Sequence, residues 1–161
     1  ACRAAITGHK VFSTLHTNTA ADSIYRLMDL GVDIAHIANS VNCVVSQRLI
    51  RKLCRFCRKK VMVNYTDLPE VKRKYFEEGE GKITIYTPNG CERCQEGYRG
   101  RTIIAETLFF NDSIRARIAK KDLNVLREIT QEKDHITLQR DAARLVRCGD
   151  ISLEEALRVA G

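Results

Sequence analysis

Four cysteines carry the strongest chemical signal in the chain. Cys54-Arg-Phe-Cys57 and Cys91-Glu-Arg-Cys94 are two C-x-x-C knuckles with 33 residues between them. Two intervening residues let both thiolates of a knuckle face one ion, and two knuckles supply a closed tetrahedral sulfur shell at about 2.3 Å per bond. That donor set suits structural Zn²⁺ better than disulfides, iron or a redox pair. The shell has no open position, so its expected work is to close a long loop and hold the strand at residues 82–86 near the strand at 101–110. Neighbouring cations stabilise the formal charge of about minus two left by four thiolates on Zn²⁺. Cys2, Cys43 and Cys148 stand apart. Cys43 falls inside an expected helix and reads as a small buried hydrophobe.

A second segment, Thr7-Gly8-His9 through Ser13-Thr14-Leu15-His16-Thr17-Asn18, reads as a short strand over Val11–Leu15 followed by a polar loop and a helix. In open α/β sheets ligands bind beyond the carboxyl ends of strands, where the following helix presents free N–H groups to anions. His16 there can donate to a phosphate oxygen, with Thr14 and Thr17 orienting it, or it can simply belong to a helix-capping loop. Both readings stay open on residue type alone. No base, nucleophile and orienting acid stand at the spacing of a hydrolase triad.

The elements around these residues follow from periodicity and caps. Thr19 caps a helix with Asp22 completing a capping-box pattern, Ile24, Leu27 and Met28 form its apolar stripe, and Gly31 ends it. Asp33 caps a second helix that carries Ile34, Ile37, Ala38, Val41 and Val45 on one face. One strand cannot bury both its faces, so partner strands are expected upstream of Ala1. Between the knuckles the pattern predicts a short helix with Pro69 in its first turn and Gly79 at its end, then a strand over Lys82–Tyr86. A strand over Arg101–Phe110 follows. Helices come next, with caps at Asp112 and Ser152, a capping box Ser152-Leu153-Glu154-Glu155, and Gly149 as a stop.

Composition narrows the class. The 161 residues are 44% hydrophobic and 29% charged with only 2 Pro, a globular profile rather than a disordered or fibrous one. No run approaches the roughly 20 apolar residues of a membrane span. The N-terminus has neither an initiator Met nor a secretory leader pattern, as expected of a piece cut from a longer protein. Seven cysteines, an odd number, fit a reducing compartment. The net charge of +7 is local: Arg48, Arg51, Lys52, Arg55, Arg58, Lys59 and Lys60 lie within 13 residues without an acid, and the remaining charges balance. That run can be a phosphate or lipid-headgroup patch, or the solvated flank of a folded module.

Together these motifs resemble the ATPases of type II secretion and type IV pilus assembly. Thr7-Gly8-His9 through Asn18, with Asp22, Ile24, Arg26-Leu27-Met28-Asp29 and Gly31, resembles the family's histidine box. Gln47 to Cys54, the paired knuckles, Gly97-Tyr98-Arg99-Gly100-Arg101, Thr137 to Asp141 and Ser152 to Glu155 look like its C-terminal half. Lys10 and Ala142 depart from the usual pattern, which has an apolar residue and a glycine there. The resemblance implies an α/β fragment: residues 1–50 as the tail of a RecA-like ATPase core, 51–100 as a tetracysteine zinc module, and 101–161 as a strand plus a helical C-terminal subdomain. It implies a cytoplasmic motor, a homo-hexamer peripheral to the inner membrane. That motor docks on a platform protein with other secretion or pilus components and uses ATP and Mg²⁺ to extend a pilus or pseudopilus. By carry-over His16 senses the γ-phosphate, His9, Thr14 and Thr17 share its box, and Cys54, Cys57, Cys91 and Cys94 hold Zn²⁺. A retraction motor is disfavoured, since those relatives generally lack the four cysteines. No G-x-x-x-x-G-K-[ST] sequence occurs in these residues, and the acidic boxes and Walker B glutamate are also missing, so the chain by itself is expected to be inactive. The alternative is a zinc-stabilised nucleic-acid-binding or protein-interaction module. Nucleic acid is not an expected partner, because only Phe56 stands among the basic residues where stacking platforms need several rings.

Overall fold

A computed structural model describes residues 1–76, 81–132 and 135–161. In chain order the elements are α1 (Cys2–Ile6), α2 (Ala20–Asp29), α3 (Ile34–Ser40), β1 (Cys43–Leu53), β2 (Lys59–Asn64), α4 (Glu70–Arg73), β3 (Lys82–Thr87), β4 (Tyr98–Phe109), α5 (Asp112–Ala119), α6 (Asn124–Gln131), α7 (Leu138–Arg147) and α8 (Leu153–Ala160). β1 pairs with β4, and β2 with β3. The β2–β3 pairing is antiparallel, from Lys59 opposite Thr87 to Asn64 opposite Lys82.

The chain packs as two units. The first comprises Ala1–Ser46 and Glu106–Thr137, the second Gln47–Ala105 and Leu138–Gly161. Each has its own apolar cluster. In the first, Ala20 and Ile24 of α2 and Ile34, Ile37 and Ala38 of α3 bury with Leu108, Phe110, Ile114, Ile118, Val125 and Leu126. In the second, Ile83 and Ile85 of β3 bury with Ile50, Ile104, Tyr75, and α7 and α8 residues that include Ala142, Val146, Leu153 and Ala156. Ala142, one of the two departures from the family pattern, is wholly enclosed; Lys10, the other, is exposed.

Local chemistry explains the helices that follow their sequence signals. Thr19 and Asp22 form a full capping box on α2, and Asp33 Oδ1 accepts the Ala35 N–H of α3 at 2.8 Å. Ser152 Oγ accepts the Glu155 N–H at 3.2 Å, one half of the expected box; the Glu155 carboxylate faces arginines instead. Gly149 follows α7 at φ +72°.

Several expectations are corrected. Val11–Leu15 is not a strand: Phe12 is 96% exposed, and a β-prone run stays irregular without a partner. The argument for upstream partner strands rested on that strand and falls with it. α3 ends at Ser40, because Val41 turns to extended backbone, so Val45 and Cys43 belong to β1 and not to a helix; Cys43 is exposed. The cap of α5 is Asn111, whose Oδ1 accepts the Ile114 N–H at 2.9 Å, one residue before Asp112. The strand at 82–86 takes β2 as its hydrogen-bonded partner, while its Ile83 and Ile85 share a core with Ile104 of β4. Pro69 does precede a short helix, α4, while Gly79 lies outside the described residues.

Candidate metal centre and histidine loop

The two knuckles leave the ends of strands and are tied to each other through the backbone. Cys54 follows β1 directly, and its N–H donates to the Gly97 carbonyl at 2.8 Å, just before β4. Within the first knuckle the Arg58 N–H returns to the Cys54 carbonyl at 3.0 Å, and within the second the Cys94 N–H returns to that of Cys91 at 3.1 Å. These tight turns bring Cys91 Sγ to 3.9 Å from Cys54, 3.6 Å from Cys94, and leave Cys57 and Cys94 3.7 Å apart. All four sulfurs lie within 4.8 Å of one another. A tetrahedron with bonds of about 2.3 Å has edges of roughly 3.8 Å, so the sulfur set fits one tetrahedral ion.

Glycine is required here. Gly97 has φ +86°, and a Cβ on it would sit 2.8 Å from Pro88 Cα. The thiols also show why a cation suits the site. Burial opposes ionisation of Cys94, but the Cys91 and Gly97 N–H groups and the adjoining thiols outweigh it and bring Cys94 down to about 7. Burial and the Cys94 thiol push Cys57 up to about 12. Once one thiolate forms, the others resist ionising beside it, and a divalent cation at the centre removes that resistance. Cys54 is buried and Cys91 exposed, so the centre opens on one side to the surface.

The histidine loop belongs to the first unit. Thr17 Oγ1 lies 2.8 Å from Ser23 Oγ, and Ser46 Oγ donates to the Asn18 carbonyl at 3.3 Å. Thr17 thus secures the loop to the first turn of α2. His9, exposed, holds a 3.2 Å contact between its Nδ1 and Thr7 Oγ1. His16 and Thr14 are both exposed, and no hydrogen bond joins His9, Thr14, His16 and Thr17 to one another among the described residues. Two N–H groups at the start of α2 are already engaged: Ala20 donates to Glu106 Oε1 at 3.4 Å, and Asp22 to Thr19 Oγ1 at 3.1 Å.

The sequence matches the model of the family described as Type II/IV secretion system protein over residues 1–158. The chain belongs to this family. Among relatives of the type II/IV secretion family, it is 39% identical over 162 residues to the type IV pilus assembly ATPase PilB of Acinetobacter baylyi, covering 99% of this chain and 28% of that protein. It is 36% identical over 162 residues to the type II secretion system protein E of Dickeya dadantii, covering 99% of this chain and 31% of that one. The crystal structure of the pilus retraction motor PilT with bound ADP resembles it with a TM-score of 0.57 at 25% identity, over 98% of this chain and 34% of that one. The chain therefore spans about a third of the length of these secretion-family relatives.

Sequence reasoning missed one polar group under the loop of this family member. Glu106 is buried in the otherwise apolar inner face of β4, between Ile104 and Leu108, with His135 Nε2 at 3.9 Å from its Oε1. The period-2 pattern Ile104, Glu106, Leu108 was the available signal, since it puts a carboxylate at a core position.

Proposed function

We propose that this chain is the C-terminal portion of a hexameric motor ATPase that couples ATP hydrolysis to pilus or pseudopilus extension. What carries the reading is the match across 99% of the chain, at 36 to 39% identity, to proteins named as a pilus assembly ATPase and a type II secretion protein. In this reading residues 1–50 are the tail of the RecA-like core, 51–100 the zinc module, and 101–161 a strand with the helical part. Zn²⁺ would be held by Cys54, Cys57, Cys91 and Cys94 and would supply cohesion rather than chemistry, because four thiolates fill its shell. The residues' own work there is to bind the ion and fix the ends of β1 and β4.

His16, exposed on an anchored loop, is the group that meets the γ-phosphate of ATP bound elsewhere in the motor, with His9, Thr14 and Thr17 shaping the loop around it. ATP and Mg²⁺ are contacts of the whole motor, which works as a homo-hexamer on an inner-membrane platform protein, in the cytoplasm and peripheral to the membrane. Assembly is favoured over retraction by the four-cysteine cluster. Among the described residues no helix is long and apolar enough to cross a membrane.

The test is steady-state ATP hydrolysis by the full-length parent. His16→Ala is expected to lower kcat by roughly 10²-fold or more with KM for ATP little changed, as for a group that acts only as charge develops on the phosphoryl oxygens. A variant with wild-type kcat would sink the assignment of His16. Nucleic-acid binding loses its main support because Arg48, Arg51 and Arg58 of the basic run bond, respectively, to the Val159 carbonyl, the Glu155 carboxylate and the Gly149 carbonyl.

A further inference from the structure

Two carboxylates are buried among the described residues, Glu155 and Glu106. Glu155 is held by Arg51 and Arg158. Glu106 lies instead between Ile104 and Leu108 on the inner face of β4, with no lysine or arginine paired to it among the described residues. Its Oε1 accepts the Ala20 N–H at 3.4 Å, and His135 Nε2, on a side chain only 7% exposed, stands 3.9 Å from the same oxygen. All three residues belong to the first unit. Packing alone would be served by a leucine, which carries no cost for leaving water. What the carboxylate adds is an acceptor at the first N–H of α2.

That acceptor sits directly behind the histidine loop. Ala20 opens α2 and Thr19 caps it, while Thr17 Oγ1 lies 3.3 Å from the Thr19 carbonyl and 2.8 Å from Ser23 Oγ. Ser23 is buried, whereas His16, one residue before Thr17, is exposed. Fixing the main chain at Ala20 therefore fixes the turn from which His16 leaves the surface. The carboxylate also sets negative charge against the positive end of α2, which disfavours a phosphate there and leaves anion contact to the loop's own side chains. We propose that Glu106 is the positioning residue of the histidine loop: by accepting the Ala20 N–H it holds the turn that aims His16 outward. The inference rests on the reading of His16 as the group that meets the γ-phosphate.

Paired substitutions in the full-length parent test this. Glu106→Leu is expected to lower kcat roughly ten-fold with KM for ATP within about two-fold of wild type, and Glu106→Gln, which keeps the acceptor, to recover most of the loss. Added to His16→Ala, Glu106→Leu should cost less than about two-fold further, because a residue that acts through His16 then has nothing left to position. Hydrogen exchange gives a readout apart from turnover. The amides of Thr19, Ala20 and Asp22, all bonded in this turn, should exchange about ten-fold faster in Glu106→Leu, while Ile114, Ile118 and Leu126 of the same core keep wild-type protection. The inference is overturned by a full loss of about ten-fold on top of His16→Ala, by a Glu106→Gln as slow as Glu106→Leu, by equal loosening of turn and core, or by wild-type exchange in the turn. Wild-type kcat in His16→Ala together with a loosened turn in Glu106→Leu would remove the γ-phosphate reading and leave the anchoring of the loop by Glu106 standing.

Discussion

Glu155 shows how much of the basic run is devoted to holding the fold. Its carboxylate is 1% exposed and meets Arg51 through Nε at 3.0 Å and Nη2 at 2.8 Å, and Arg158 through Nε at 3.0 Å and Nη2 at 2.6 Å. The Arg51 main-chain N–H adds a 3.2 Å bond. Burial by itself would raise the pKa, but the hydrogen bonds from Arg158 and Arg51 outweigh it and hold the carboxyl at about 2. A carboxyl lowered in the folded state binds fewer protons there than in the unfolded chain. Its contribution is therefore complete above the ordinary glutamate value near 4.3 and is lost as pH falls toward about 2. Against that ordinary value the contribution is about 3 kcal/mol. Denaturant unfolding between neutral pH and pH 2 should show it. Glu155→Gln should be less stable by about that amount at pH 7 and should flatten the acid limb, and an unchanged limb would mean another carboxylate controls it.

At the scale of elements, the β2–β3 hairpin and the turn after α7 depend on one close approach. A Cβ on Gly149 would lie 2.6 Å from Tyr86 Cε2, and its φ of +72° suits glycine. Arg58 lies over the same Tyr86 ring and donates to the Gly149 carbonyl. Gly149→Ala should cost about 2–4 kcal/mol, since ring displacement adds to left-handed strain, and a loss under about 1 kcal/mol in urea melts would show the ring free to move aside.

These contacts also mark what the residue pattern revealed and what it hid. Capped helices were legible because a cap is local chemistry: Thr19, Asp33 and Ser152 all accept the bonds their positions predict. β1 and β2 were hidden by their own cations. In β1 the inward residues Arg48, Ile50 and Lys52 alternate with Leu49 and Arg51, so a period of two reads as a basic run when charges occupy both faces. Val11–Leu15 misled in the opposite direction, because β propensity without a pairing partner forms no strand. The sulfur cluster was legible from spacing alone, whereas Glu106 sat in a strand that was read, Arg101–Phe110, and only its alternation with Ile104 and Leu108 marked it as a core position.

At the scale of the molecule, the second unit is the one the cluster closes. Its four thiols join the two ends of the loop between β1 and β4, and its core is made by Ile50 of β1, Ile104 of β4, Tyr75, and residues of β3, α7 and α8. Zinc analysis should give about one ion per chain. Stripping it with a chelator at neutral pH should lower hydrogen-exchange protection of Ile83, Ile104 and Val146 by roughly three orders of magnitude. Protection of Ile24, Ile37 and Ile118 in the first unit's core should change far less. Equal loss in both would mean that the metal holds more than its own unit.

Neither unit is a continuous piece of chain. The sequence passes from one to the other between Ser46 and Gln47, back between Ala105 and Glu106, and across again after Thr137, the first two crossings lying inside β1 and β4. During synthesis, then, α2 and α3 emerge long before Ile114, Ile118 and Leu126 exist to cover them, and β3 waits for α7 and α8. The first core closes only once Leu126 has been made, and the second only once Val159 has. The cysteine pairs are complete earlier, at residue 94, so a ribosome-bound chain can gather its sulfurs around an ion while most of its apolar surface is still uncovered.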